Sequence, residues 1–149
     1  MKTIFSMLLV ACFCISGSAI AAGATDKDAI AMTDKAVAYA KTNGKDKLIA
    51  EVNAKNPDFI QGELYLVVYG MDGMRLAHPI NPKLVGKSVL DIADVDGKEY
   101  GKEMVAIAKD KGKGWVDYKF KNPTSNKVEQ KTSYVVRAGD IFVIVGIYK

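Results

Sequence analysis

Three strand-like runs at the end of this sequence, residues 115–120, 131–137 and 141–148, are joined by connections that only reverse the chain. Parallel neighbours need a crossover of a dozen residues or more. The Gly139-Asp140 turn and the loop 122–126 around Pro123 supply none, so these strands are predicted to be antiparallel neighbours. A second strand pair lies upstream. Glu63-Leu64-Tyr65-Leu66-Val67-Val68-Tyr69 is β-branched and aromatic throughout, which predicts a strand buried on both faces. Gly70-Met71-Asp72-Gly73 is a turn, and Met74-Arg75-Leu76-Ala77 returns to close a hairpin.

Elsewhere the apolar period is helical. Ala29, Ile30, Thr33, Ala36, Val37 and Ala40 recur at three and four, with Met32 and Tyr39 widening the stripe. A helix is predicted over 25–42, with N-caps offered by Thr25 and Asp26 and a stop at Asn43-Gly44. Residues 45–53 predict a shorter helix with Leu48, Ile49 and Val52 inward, and residues 98–111 a third, behind the acidic turn Asp94-Val95-Asp96-Gly97. Between hairpin and third helix, His78-Pro79-Ile80-Asn81-Pro82 is a stiffened loop. The sum is an α+β domain, a five-stranded antiparallel sheet with helices packed on it. A chain of 149 residues holds one such domain.

The first residues are read separately. Lys2 precedes an apolar run from Ile4 to Ile15, Ser16-Gly17-Ser18 breaks it, and Ala19-Ile20-Ala21 offers a small-x-small cleavage site. This predicts a secretory signal peptide over 1–21 and a domain over 22–149. The run is short of the roughly 20 residues a spanning helix needs, although an uncleaved anchor over 4–22 is the competing reading, and Leu9-Val10-Ala11-Cys12 resembles a lipobox. Cleavage after Ala21 would remove Cys12 and Cys14, the two cysteines of the chain, and leave 128 residues with a net charge of +3 instead of +4. A product without thiols has no disulfide and must rest on a packed core.

Familiar catalytic patterns are missing. No P-loop, G-x-G-x-x-G or G-x-S-x-G elbow occurs, and the single histidine, His78, cannot by itself form an ordinary metal centre. Asp94, Asp96, Gly97 and Glu103 align with four positions of an EF-hand loop, but Ile92 stands where the first carboxylate belongs. An acidic turn capping the third helix is the expectation, with no metal, no cofactor and no enzymatic activity. A net charge of +4 is too small to point to nucleic acid.

What remains is a polar and aromatic set: Tyr65, Arg75, His78, Trp115, Tyr118, Lys131 and Tyr134. A small carboxylate needs such a mixture, with a cation for its charge, hydroxyl or indole donors for its oxygens and rings to exclude water. The same residues also serve as large core side chains whose polar ends find backbone partners. Alternation poses a problem, because Trp115 and Tyr118 are three apart, as are Lys131 and Tyr134, and each pair should face opposite ways on a regular strand. A bulge, or a pocket wrapping a strand end, would be required to bring all four together.

A string of short motifs then falls in order: Tyr65-x-x-Val68-Tyr69, Ala77-His78-Pro79, Asn81-Pro82, Asp94-x-Asp96-Gly97-Lys98, Gly114-Trp115-Val116-x-Tyr118, Lys131-x-Ser133-Tyr134-Val135 and Gly146-Ile147-Tyr148. Together they resemble the single Cache domain of the second type, from about residue 29 to residue 148. The resemblance implies a PAS-like fold, with a long N-terminal helix on a five-stranded antiparallel sheet, and an extracytoplasmic sensor of small organic acids. It carries His78, Tyr118 and Lys131 onto the family's pocket motifs. Phe120 departs from an expected tryptophan, and Gly70 stands where an aspartate often follows the position of Tyr69. The expectation is a periplasmic or secreted carboxylate-binding domain without output machinery of its own, acting with a separate membrane receptor or kinase. The alternative is a protein-interaction module that docks on a separate membrane sensor or dimerises through its N-terminal helix, with an apolar face exposed over 29–40.

Overall fold

The computed structural model describes residues 23–149, so the readings of the N-terminal segment lie outside the described residues. Helix α1 spans Asp26–Asn43. Thr25 caps it through a reciprocal capping box with Asp28, which satisfies two of the backbone N–H groups every helix start leaves open. Gly44 ends it at φ 87°, and α2 follows over Lys45–Asn53. Strands β1 (Ile60–Gln61), β2 (Leu64–Gly70) and β3 (Arg75–Ala77) come next. Helix α3 (Tyr100–Asp110) leads into β4 (Lys113–Lys121), β5 (Val128–Ala138) and β6 (Ile141–Tyr148).

All pairings are antiparallel, and the sheet runs β1-β2-β6-β5-β4 with β3 on the same edge of β2 as β1. The five expected strands are present, with the two-residue β1 as an addition. The last strand by sequence, β6, is central, and it is buried from Ile141 through Ile147. Alternate residues therefore feed two cores. Leu66 and Val68 of β2 and Val143 and Val145 of β6 meet α1 and α2. Tyr65, Val67 and Tyr69, with Phe142 and Ile144, face the opposite side under α3 and the loop before it.

Two expectations change in detail. Helix α3 begins at Tyr100, and its first turn has no side-chain cap. Asp94 does not cap it: its oxygens accept the backbone N–H groups of Asp96 and Lys98 within the turn and of Lys119 in β4. The apolar stripe of α1 is not exposed either. Ala29, Met32, Thr33 and Ala36 are buried against the chain's own sheet, and the outward side carries Lys27, Asp34, Lys35 and Lys41.

Close approach decides one glycine. A Cβ on Gly101 would lie 2.1 Å from the carbonyl oxygen of Val89. Gly-to-Ala normally stabilises a helix by about 0.8–1 kcal/mol. Here the backbone clash reverses the sign, and Gly101→Ala is expected to destabilise by about 1–3 kcal/mol, the range for overpacking. A lower urea midpoint for the variant checks this; a raised one would refute it.

Candidate ligand-binding site

The β2–β3 hairpin contributes the first cation through a fault in its register. Val68 pairs with Ala77, but Tyr69 pairs with Arg75, so Leu76 is an extra residue. On a regular strand Arg75 and Ala77 would share a face. The bulge separates them: Ala77 joins the helix-side core with Val68, and Arg75 turns with Tyr69 to the other face. The edge is then covered, since Arg75 N–H donates to Lys87 O and Gly86 N–H donates to Arg75 O. Arg75 is 2% exposed, and its Nε donates to the Tyr69 hydroxyl at 3.2 Å. Its Nη1 is buried without any hydrogen-bond partner. An orphaned guanidinium nitrogen is costly, because burial removes water without replacing it.

Strand β5 contributes the second cation. Lys131 is also 2% exposed, and its Nζ donates to Tyr65 Oη at 2.8 Å and Tyr148 Oη at 3.1 Å. The ammonium sits over the Tyr65 and Tyr148 rings, 4.2 and 4.6 Å from their centroids. Tyr148 in turn donates to Lys121 O. No carboxylate pairs with Lys131 or Arg75 among the described residues. Burial drives the Lys131 pKa from 10.5 down to about 7, opposed in part by the field of Glu63. Gly146 of β6 makes room for this side chain: a Cβ there would meet Lys131 Cε at 2.2 Å and Ser133 Oγ at 2.4 Å.

His78 follows β3 and is 3% exposed. Its Nδ1 accepts the backbone N–H of Asn81 at 3.0 Å, so in the neutral ring the proton is on Nε2. Burial, then Lys131 and Arg75, hold its pKa near 3, so it is an uncharged donor at neutral pH. Tyr118 stacks on Tyr100, with centroids 4.3 Å apart, and its hydroxyl meets Ser133 Oγ at 3.0 Å. Burial pushes the Tyr65 and Tyr118 hydroxyls well above their ordinary range, so both stay protonated.

Tyr65, Arg75, His78, Tyr118 and Lys131 thus border one small cavity of about 10 Å³, together with Tyr69, Tyr100 and Phe120. That is room for a single water-sized group. Trp115 and Tyr134 are elsewhere. The β4–β5 ladder is regular from Lys113↔Val136 to Lys121↔Val128, with Tyr118 opposite Lys131 and Trp115 opposite Tyr134. No bulge intervenes, so Trp115 and Tyr134 form their own ring pair, 4.9 Å apart, on the side of α1. The bulge that would be required to bring all four into one pocket is not there, so Trp115 and Tyr134 stay outside it, and the distortion is in β3 instead.

Residue reasoning passed over Tyr69, Tyr100, Tyr148 and Gly146. Tyr69 was accessible, since it is four residues after Tyr65 on one strand and must share its face. Tyr148 and Gly146 depend on the β5–β6 register, where Lys131 opposes Tyr148 and Ser133 opposes Gly146.

Residues 24–149 match the family model Single Cache domain 2. The chain belongs to the single Cache domain 2 family. Its likeness to two characterised proteins is 34% identity over 82 residues with the sensor histidine kinase MctS of Rhizobium johnstonii, and 34% over 71 residues with the methyl-accepting chemotaxis protein McpP of Pseudomonas putida. The matched parts are 55% and 48% of this chain but only 18% and 13% of those proteins, so the chain spans a small fraction of either. Among solved structures, a methyl-accepting chemotaxis protein from Vibrio parahaemolyticus superposes with a TM-score of 0.70 at 21% identity, over 82% of this chain and 86% of that one. A Cache chemosensory domain solved for the structural basis of carboxylic acid recognition gives 0.64 at 25% identity, over 82% and 86%. The Cache fold is thereby shown, as a sensor-domain fold of chemoreceptors and kinases. No helix among the described residues is long and apolar enough to cross a membrane.

The buried lysine sets a pH signature for the free Cache domain. Between pH 7 and 10.5 the unfolded chain holds a proton on Lys131 that the folded chain gives up, so stability rises with pH across that window. Lys131→Met is expected to raise stability at pH 7 and flatten that rise, as read from urea midpoints measured at pH 7, 8 and 9. A wild-type profile that is already flat over this range would contradict the burial argument.

Proposed function

We propose that this Cache domain binds a small organic carboxylate. One observation carries the reading: among the described residues Arg75 and Lys131 are both buried beside one cavity, neither has a carboxylate partner, and Arg75 Nη1 has no hydrogen-bond partner. Buried charges are ordinarily paired. An incoming anion supplies the missing partner. Its oxygens would take hydrogen bonds from Arg75 Nη1 and Lys131 Nζ, with His78 as a neutral donor and the Tyr118, Tyr65 and Tyr69 rings keeping water out. The carboxylic acid recognised by a Cache relative of the same fold supports the choice of ligand class. Trp115 and Tyr134 enter this reading only indirectly, through the packing of β4 on β5.

The domain would act outside the cytoplasm, exported by its N-terminal segment, and report to a membrane receptor or kinase, since the relatives are of those kinds. It would do so without catalysis, since none of the catalytic motifs sought in the sequence occurs. The interaction-module alternative loses its main support, because α1 spends its apolar stripe on the sheet.

A thermal-shift screen of short carboxylates tests the reading, since a ligand at 100 times its Kd adds about 2.7 kcal/mol. Arg75→Met and Lys131→Met are each expected to cost about 2–5 kcal/mol of affinity, the range for removing one partner of a buried charge pair. Loss of less than about twofold for both would remove the charge assignment. Affinity is also expected to fall above pH 7, approaching tenfold per pH unit, because the free site must then gain a proton on Lys131 before it can hold the anion. Isothermal titration in buffers of different ionisation enthalpy measures that proton uptake directly.

A further inference from the structure

A charged lysine offers three N–H donors. Lys131 Nζ uses two of them, on Tyr65 Oη and Tyr148 Oη, and among the described residues the third has no hydrogen-bond acceptor. The residue is 2% exposed and borders the inner cavity. Glu63 reaches it only through its field, since Glu63 Oε2 accepts from Asn122 Nδ2. Burial that brings the lysine pKa to about 7 leaves about half of the side chains as the free amine at neutral pH. An exposed lysine leaves roughly one in 3,000. A desolvated free amine is a nucleophile. The electrophile that suits this one must be small, because the cavity has room for a single water-sized group. A carbon bonded to Nζ would lie at about 1.33 Å, as in an amide, where a hydrogen-bonded atom needs about 2.7–3.2 Å. Covalent attachment therefore takes less room than a free molecule of the same size.

We propose that Lys131 is a carbamate-forming site, at which dissolved carbon dioxide adds to the uncharged amine and the carbamate so formed pairs with Arg75. This is a covalent modification and goes beyond the carboxylate reading. The amine lone pair forms the N–C bond, one C=O π bond opens onto its oxygen, and the amine nitrogen releases one proton to the buffer. No electron is gained or lost overall. The product is an anion bordering the cavity where Arg75 Nη1 is buried without a hydrogen-bond partner, so the guanidinium acquires the charge partner it lacks. Carbon dioxide is uncharged and linear, and a space of about 300 Å³ that shares Tyr65, His78 and Phe120 with the cavity is the side from which it would approach. A bound carboxylate needs the ammonium form of Lys131 and the same space, so ligand and carbamate exclude each other. The other titratable groups of the cavity hold still: burial pushes the Tyr65, Tyr69, Tyr100 and Tyr118 hydroxyls up, as it does that of Tyr148, and His78 is near 3. Lys131 alone then sets the pH profile of the reaction near neutrality.

Carbon-13 NMR of the purified protein, in buffer equilibrated with carbon-13-labelled carbon dioxide and bicarbonate, tests this. A carbamate carbonyl resonance is expected in the wild type and absent in Lys131→Met, while the carbamate of the chain's own α-amino group remains in both as a reference. Arg75→Met is expected to lower the Lys131 signal by about tenfold or more at the same dissolved carbon dioxide, from loss of a charged hydrogen bond. Between pH 8 and 9, at fixed dissolved carbon dioxide, the ratio of carbamate to free Lys131 is expected to rise about tenfold, because only one proton is released; an amine still protonated there releases two and rises about a hundredfold. Nitrogen-15 in the lysine side chains splits the resonance through the new bond, so the wild type gives its answer even if a variant does not fold. A bicarbonate resonance alone, a signal that survives Lys131→Met, or a hundredfold pH slope overturns the carbamate. A signal unchanged in Arg75→Met overturns the pairing with Arg75. Binding of short carboxylates without a Lys131 carbamate overturns this inference and leaves the carboxylate reading standing. A Lys131 carbamate in a protein that binds no short carboxylate does the reverse.

Discussion

The hydrogen bonds from Lys131 Nζ to Tyr65 and Tyr148 are the contacts on which the site's architecture rests. They hold a cation inside the domain with hydroxyls and ring faces as its surroundings and no carboxylate. Burial lowers the Lys131 pKa to about 7, and the field of Glu63 opposes part of that fall. Each partner comes from a different strand, β2 and β6, so the cation also marks where three strands must meet in register. Gly146 is the structural condition for that meeting, because any side chain there would occupy the path of the lysine.

Arg75 plays the same part from the sheet edge. A one-residue bulge turns it away from the helix-side core, and the backbone of residues 86–87 covers the strand that carries it. The two cations thus reach one face by different routes, one through regular alternation and one through a local fault in it. With His78 neutral between them, the cavity is a region of positive potential that the protein leaves unbalanced. An anion entering such an interior would supply the charge partner that the two buried cations lack.

Much of the fold was legible because its signals are local. The switch from a 3.6-residue to a two-residue apolar period, the Asn43-Gly44 stop and the Gly139-Asp140 reversal each act within a few residues, and helix α2 and strand β6 fall where those signals put them. The start of α3 was misplaced by two residues because Asp94 spends its oxygens on its own turn and on Lys119, a residue 25 positions away. The residue types of the site were legible too: a lysine in an apolar strand and an arginine in a hairpin, among tyrosines. Their grouping was not. Tyr118 with Lys131, and Trp115 with Tyr134, are cross-strand partners whose shared face follows from the β4–β5 register.

The sequence by itself determined the α+β class, the antiparallel order of the C-terminal strands, and a set of donors and cations suited to a small anion. It did so through periodicity and turn chemistry, both short-range properties of the chain. Tertiary structure alone decided which of those residues share a cavity, that Arg75 is turned into it by a bulge at Leu76, and that Lys131 is left without an acid. The physical reason is that register and desolvation are collective. A strand's partner fixes which face a side chain joins, and the packing of every neighbouring element decides whether a charge keeps its water.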